Sequence, residues 1–147
     1  DPNWITPLDM MIRDQLNPKK NPTFDQLDAQ LWIAYHNKQP VGRISAQINP
    51  LHLKHQNATE GHFGFLEADT KETMDQLITT AESWLHNKGM TKILGPFNLS
   101  INEEMGLLVD GFDTPPYFMM GHHNPAYQEW LTSIGFSKAK DVIGFSL

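Results

Sequence analysis

Residues 95–141, GPFNLSINEEMGLLVDGFDTPPYFMMGHHNPAYQEWLTSIGFSKAKD, hold most of the unusual chemistry of a 147-residue chain. The stretch opens with polar Asn98, Ser100, Asn102, Glu103 and Glu104, set between a short apolar run and Gly106–Val109. Polar groups beside a core element are costly unless paired, so Asn98 and Asn102 are read either as partners of the loop's own backbone or as groups that orient a substrate. Glu103 and Glu104 are neighbours, so in extended chain they face opposite ways and only one can enter a cleft. Glu104 is the one chosen, as a base that a partly buried position would make stronger. Asp113-Thr114-Pro115-Pro116 reads as a rigid turn with Asp113 as its cap, and the apolar Tyr117–Met120 as a core strand. A helix is predicted from about Pro125 to Ile134, with Asn124 as its cap and Gly135 closing it, followed by a final strand over Asp141–Leu147.

Upstream, apolar Met74, Leu77, Ile78, Ala81 and Leu85 recur at helical spacing and end near Gly89, with Asp69 and Glu72 at capping-box spacing. The flanking runs HFGFLEA (62–68) and TKILGP (91–96) read as strands, and strand, helix, strand implies a right-handed crossover between parallel neighbours. Earlier still, AQLWIAYHN (29–37) and the alternating Ile44, Ala46 and Ile48 read as a hairpin turning at Asn37–Pro40. Thr6-Pro7 followed by Leu8, Met11, Ile12 and Leu16 predicts a short amphipathic helix stopped by Asn17-Pro18. Polar Asn49–Glu60 reads as a loop. The expected class is α/β, a layered α+β arrangement with a mixed central sheet and flanking helices.

The composition suits one domain, residues 1–147, able to bury roughly 68–70% of its unfolded surface. A formal charge of −6 argues against nucleic acid as a partner, because phosphate binding is carried by Lys and Arg. With no cysteine there is no thiolate nucleophile and no Cys-based zinc site. No apolar run approaches the roughly 20 residues of a transmembrane helix, and the default location is cytoplasmic. The chain opens on Asp1 rather than Met, which is read as a segment of a longer protein. A homodimer is compatible with all of this.

The spacing of Asn124, Tyr127, Leu131, Gly135 and Phe136 is similar to the Asn-x-x-Ala-x-x-x-Tyr-x-x-x-Gly-Phe pattern of GNAT acyl-CoA N-acyltransferases. Gly95-Pro96-Phe97-Asn98, with Ser100, Asn102, Glu104, Gly106–Val109 and Gly111–Pro116, resembles the GNAT-like bacterial branch that includes bacterial ceramide synthases. The resemblance implies a sheet whose opening and closing strands would lie outside this chain. It also implies a cleft between the strands at 63–68 and 91–96 that takes the thioester arm of acetyl-CoA or another acyl-CoA, with Phe65, Leu66, Lys71 and Asn124 as cofactor contacts. The acceptor is then a small-molecule or lipid amine bound near Asn98, Asn102, Asp113 and Tyr117.

Two departures from the family carry consequences. Where GNAT enzymes place a Gly-rich, basic turn for the pyrophosphate, residues 67–76 read EADTKETMDQ, with Glu67, Asp69, Glu72 and Asp75 offset by Lys71. Weaker coenzyme A binding is the expectation. Leu131 stands where the family carries a Tyr acid, and Tyr127, one turn earlier on the same face, is the substitute, read against the alternative of a packed Tyr with a satisfied hydroxyl. His122 is retained as a second candidate base. The His122-His123 pair is not read as a metal centre, since adjacent residues seldom face one ion and no completing spacing is present, and no metal cofactor is expected. Glu104, Tyr127 and His122 are thus the candidate catalytic groups of an acyl-CoA-dependent N-acyltransferase. The competing readings are a non-catalytic GNAT-like ligand-binding module and a metal-dependent nucleotide pyrophosphohydrolase using Glu103, Glu104, Asp110 and Asp113.

Overall fold

The structure, a computed structural model, describes residues 2–56 and 59–144. Its elements run α1 (Asp9–Gln15), β1 (Asp28–His36), β2 (Gln39–Ile48), α2 (Pro50–Gln56), β3 (Glu60–Ala68), α3 (Lys71–Asn87), β4 (Lys92–Leu94) and α4 (Tyr127–Ser133). The four strands form one mixed sheet in the order β1-β2-β3-β4. The first two pairings are antiparallel and the last is parallel, as the crossover through α3 requires.

Asn37 and Lys38, at φ of 49° and 67°, make the left-handed two-residue turn whose twist matches the β1–β2 hairpin. One face of β2 presents Ile44, Ala46 and Ile48 to the core, where they meet Met74, Leu77, Ile78, Ala81 and Leu85 of α3. Each Ile, Leu or Met side chain withdrawn from water here contributes about 1.5–3 kcal/mol, so α3 is held by packing rather than by propensity. The opposite face of β2 carries Ser45 and Gln47, both buried, with Ser45 Oγ donating to Gln47 Oε1 and Gln47 Nε2 donating to Phe97 O.

Several expectations are corrected. The cap of α3 is Thr70, whose hydroxyl accepts from Thr73 N, because Asp69 is drawn to β2 by its N–H on Val41 O. Residues 50–56, expected as loop, form α2: Asn49 Oδ1 accepts from Leu51 N and His52 N, and Pro50 supplies a preset first turn. Helix α4 begins at Tyr127 rather than Pro125, with Asn124 Oδ1 receiving Ala126 N just ahead of it. Residues 141–144 form no strand, and the rest of the expected closing strand, 145–147, lies outside the described residues. The turn at 111–114 closes through Thr114 donating to Gly111 O rather than through Asp113. Tyr117 and Phe118 are 72% and 83% exposed and belong to no core strand.

Candidate active site

The site is built around a sheet edge that loses its partner. Strand β4 pairs with β3 only across Glu60, Gly61 and His62. Beyond Leu94 the chain leaves the plane of the sheet and crosses over Gly64, where an added Cβ would lie 1.8 Å from Phe97 O. Only glycine tolerates that approach. Phe97 N still reaches Phe63 O at 2.7 Å, but from Phe65 onward the outer edge of β3 meets side chains instead of a strand. Phe65 sits at φ 48° in the irregularity between the Arg43 and Ser45 pairings, and its N–H donates to Asn98 Oδ1 at 2.7 Å. At the far end, Ala68 N donates to Tyr127 Oη at 2.6 Å while the same hydroxyl donates to Ala68 O at 3.0 Å.

Asn98 and Glu104 close a tight hairpin. Asn98 N donates to Glu104 O, Gly106 N to Pro96 O, and Phe97 bridges Met105. The side chains repeat the pairing, with Asn98 Nδ2 donating to Glu104 Oε1 at 2.9 Å. Burial pushes the Glu104 carboxyl above the usual carboxylate range, and the Asn98 hydrogen bond opposes it only in part. Glu103 turns the other way and accepts Gln15 Nε2 from α1 at 2.5 Å. Among the described residues, no three of Glu103, Glu104, Asp110 and Asp113 bring ligand atoms within 4.8 Å of one another, so the four carboxylates build no metal cage.

Two adjoining hollows open here. One, of about 590 Å³, is lined by Glu67, Ala68, Asp69, Asn124 and Tyr127; the other, of about 510 Å³, by Arg43, Phe65, Leu66, Asn98 and Glu104. Trp4, Glu67, His122 and His123 line both and make them one cleft. His123 Nδ1 accepts Leu108 N at 3.1 Å, and burial first, then the neighbouring His122, pulls its pKa down to about 4. It is therefore a neutral imidazole near pH 7 with its proton on Nε2. A Cβ built on Gly121 would lie 3.2 Å from both His123 Nε2 and Glu104 Oε1, so the two side chains converge on that glycine. Arg43 pairs with Glu67 at 2.7 Å on the cleft wall, and its buried Nε has no hydrogen-bond partner among the described residues.

No protein-family profile matches the chain. It is 48% identical over 148 aligned positions to the bacterial ceramide synthase of Caulobacter vibrioides (strain NA1000 / CB15N), an alignment covering 99% of this chain and 38% of that protein. It is 43% identical to Protein YghO of Escherichia coli (strain K12), covering 99% of this chain and 37% of YghO. The crystal structure of the aminoglycoside acetyltransferase meta-AAC0020, from an uncultured soil metagenomic sample and in complex with sisomicin, superposes with a TM-score of 0.53 at 14% identity, covering 99% of this chain and 76% of that one. The fold is GNAT-like, and the chain is a relative of bacterial ceramide synthase.

On this GNAT-like frame, the residues chosen from sequence divide. Phe65, Leu66, Asn98, Glu104, His122, Asn124 and Tyr127 line the cleft. Asn102, Asp113 and Tyr117 are exposed and line neither hollow, and Lys71 is engaged with Asp75 at 2.8 Å outside both. The Tyr127 hydroxyl is buried and spends its donor and an acceptor site on Ala68, so it would have to release β3 to protonate a leaving thiolate. Burial raises its pKa as well, which makes the phenol a poorer acid. Sequence reasoning missed Arg43, His123 and Trp4. Arg43 lies on the face of β2 opposite the apolar Ile44, Ala46 and Ile48, His123 is the second member of a His pair, and nothing local distinguishes Trp4.

Proposed function

We propose that this chain is an acyl-CoA-dependent N-acyltransferase domain, that the acyl donor lies along the outer edge of β3 between Phe63 and Ala68, and that Glu104 is the general base. The observation that carries the reading is the half-buried Glu104 carboxylate, of raised pKa and fixed by Asn98, beside a sheet edge that β4 has left. In the reaction, an amine nitrogen attacks the thioester carbonyl, a C–N bond forms and the C–S bond breaks. Glu104 takes the proton that the nitrogen loses, and coenzyme A leaves as thiolate. Asn98 is a positioning residue that aims Glu104. His122 and neutral His123 line the same cleft and are the reserve groups for relaying that proton.

The acceptor we favour is a long-chain amino-lipid. The name of the relative points that way, and so does the apolar surface beside the cleft mouth, with Trp4, Ile5, Leu8 and Met120 between 41% and 65% exposed. A cytoplasmic location fits an acyl-CoA donor. The binding-module reading is favoured by one observation, the Tyr127 hydroxyl locked on Ala68, which leaves the chain without a committed acid.

Release of free coenzyme A separates the two readings. The chain has no cysteine, so a thiol reagent sees only product. With acetyl-CoA or palmitoyl-CoA and a sphingoid or short-chain amine, thiol release that depends on the amine is expected. Acyl-CoA binding without release, for every donor and amine tried, would leave a binding module.

A further inference from the structure

On the sheet face away from α3, at the start of β3 and outside the cleft, His52, Glu60 and His62 bring one ligand atom each to within 4.8 Å of one another. Glu60 and His62 are two apart on a strand and share a face. His52 comes from α2, whose first turn is fastened by Asn49. All three are partly buried. His52 Nε2 lies 2.9 Å from Glu60 Oε1, while the other oxygen, Oε2, is held by Lys92 of β4 at 3.2 Å. The His62 ring stands edge-on to Phe97 at 5.0 Å and to His52 at 5.7 Å, which fixes its plane.

We propose that His52, Glu60 and His62 form a three-ligand site for a divalent transition metal, with Zn²⁺ the ion it suits. Two imidazoles and one carboxylate are a zinc donor set, and imidazole disfavours Mg²⁺ and Ca²⁺. Glu60 Oε1 faces the His52 imidazole and Oε2 keeps Lys92, the outer partner that orients a ligating carboxylate. The fourth position is left to water or to another donor. The site ties α2 to the β3–β4 pairing, and through the His62–Phe97 contact it adjoins the residue that precedes Asn98. Its role is to brace the strand pair from which the cleft opens.

The test uses the whole chain, stripped with a chelator and titrated with Co²⁺ and then Zn²⁺. One equivalent of Co²⁺ with the visible absorption of a four- or five-coordinate ion is expected, bleached by Zn²⁺, and Zn²⁺ should raise the thermal midpoint reversibly. His52→Gln and Glu60→Gln, each checked for native circular dichroism, should weaken binding more than about 100-fold, beyond what loss of an outer partner costs. His122→Gln should bind as the parent does. Absence of the Co²⁺ spectrum overturns the proposal. So does a spectrum that survives in a folded His52→Gln, Glu60→Gln double variant.

Discussion

Asn98 Oδ1 lies 2.7 Å from the backbone nitrogen of Phe65 and takes the hydrogen bond that a neighbouring strand would otherwise accept. The same amide donates to Glu104, so one side chain both caps the sheet edge and aims the carboxylate. Asn98→Ala leaves the N–H of buried Phe65 and the half-buried Glu104 carboxylate unmet, and a loss of about 1–3 kcal/mol in urea unfolding is expected. Asn98→Asp keeps the acceptor for Phe65 but sets a second carboxylate against Glu104. It should retain most stability and push the Glu104 pKa higher, visible as an alkaline shift in the rising limb of the activity profile.

Tyr127 separates clamp from acid. If its hydroxyl holds Ala68, Tyr127→Phe costs about 1–3 kcal/mol through the two orphaned backbone groups and lowers turnover only modestly. A variant of unchanged stability whose turnover falls more than about 100-fold would restore the acid role.

Gly64 has no room for a side chain, since its nearest neighbours on the Cβ side are the backbone O and C of Phe97 at 1.8 and 2.5 Å. Gly64→Ala must displace backbone rather than a rotamer, and a cost at the upper end of the about 1–3 kcal/mol of overpacked sites is expected. Chemical denaturation measures it.

Acidity at the start of α3 bears on the coenzyme. Glu72 lies exposed in the first turn, and Lys71 is engaged with Asp75. Glu72→Lys should tighten coenzyme A by about two- to fivefold, the size of a helix-end charge effect, in calorimetry at low salt. No change would put the diphosphate elsewhere.

How far the residues alone reached is clearest from two places. The α3 register was legible because five apolar side chains repeat at 3.6-residue spacing against β2, and the parallel β3–β4 pairing follows from that helix. Helix α2 was not legible: His52, His55 and Lys54 give it no apolar stripe, and its Asn49-Pro50 start was outweighed by surrounding polarity. That miss also hid His52 from Glu60 and His62. In the cleft, alternation lets only one of Glu103 and Glu104 enter without saying which, and nothing local separates His123 from His122. The distinction depends on Leu108 N, 15 residues away in the chain.

Glu104→Gln is the most direct measurement, read as amine-dependent coenzyme A release and as stability against pH. The carboxyl pKa is raised in the folded state, so folded protein holds the proton longer than unfolded chain does. Stability therefore falls as pH rises from the ordinary carboxylate range through the raised value, and Glu104→Gln removes that loss. The variant should thus be folded and no less stable near neutral pH, with turnover down about 100-fold or more and the rising limb of the pH profile abolished. A folded Glu104→Gln variant with full activity and an unchanged pH profile would contradict the proposed base and the site built around it.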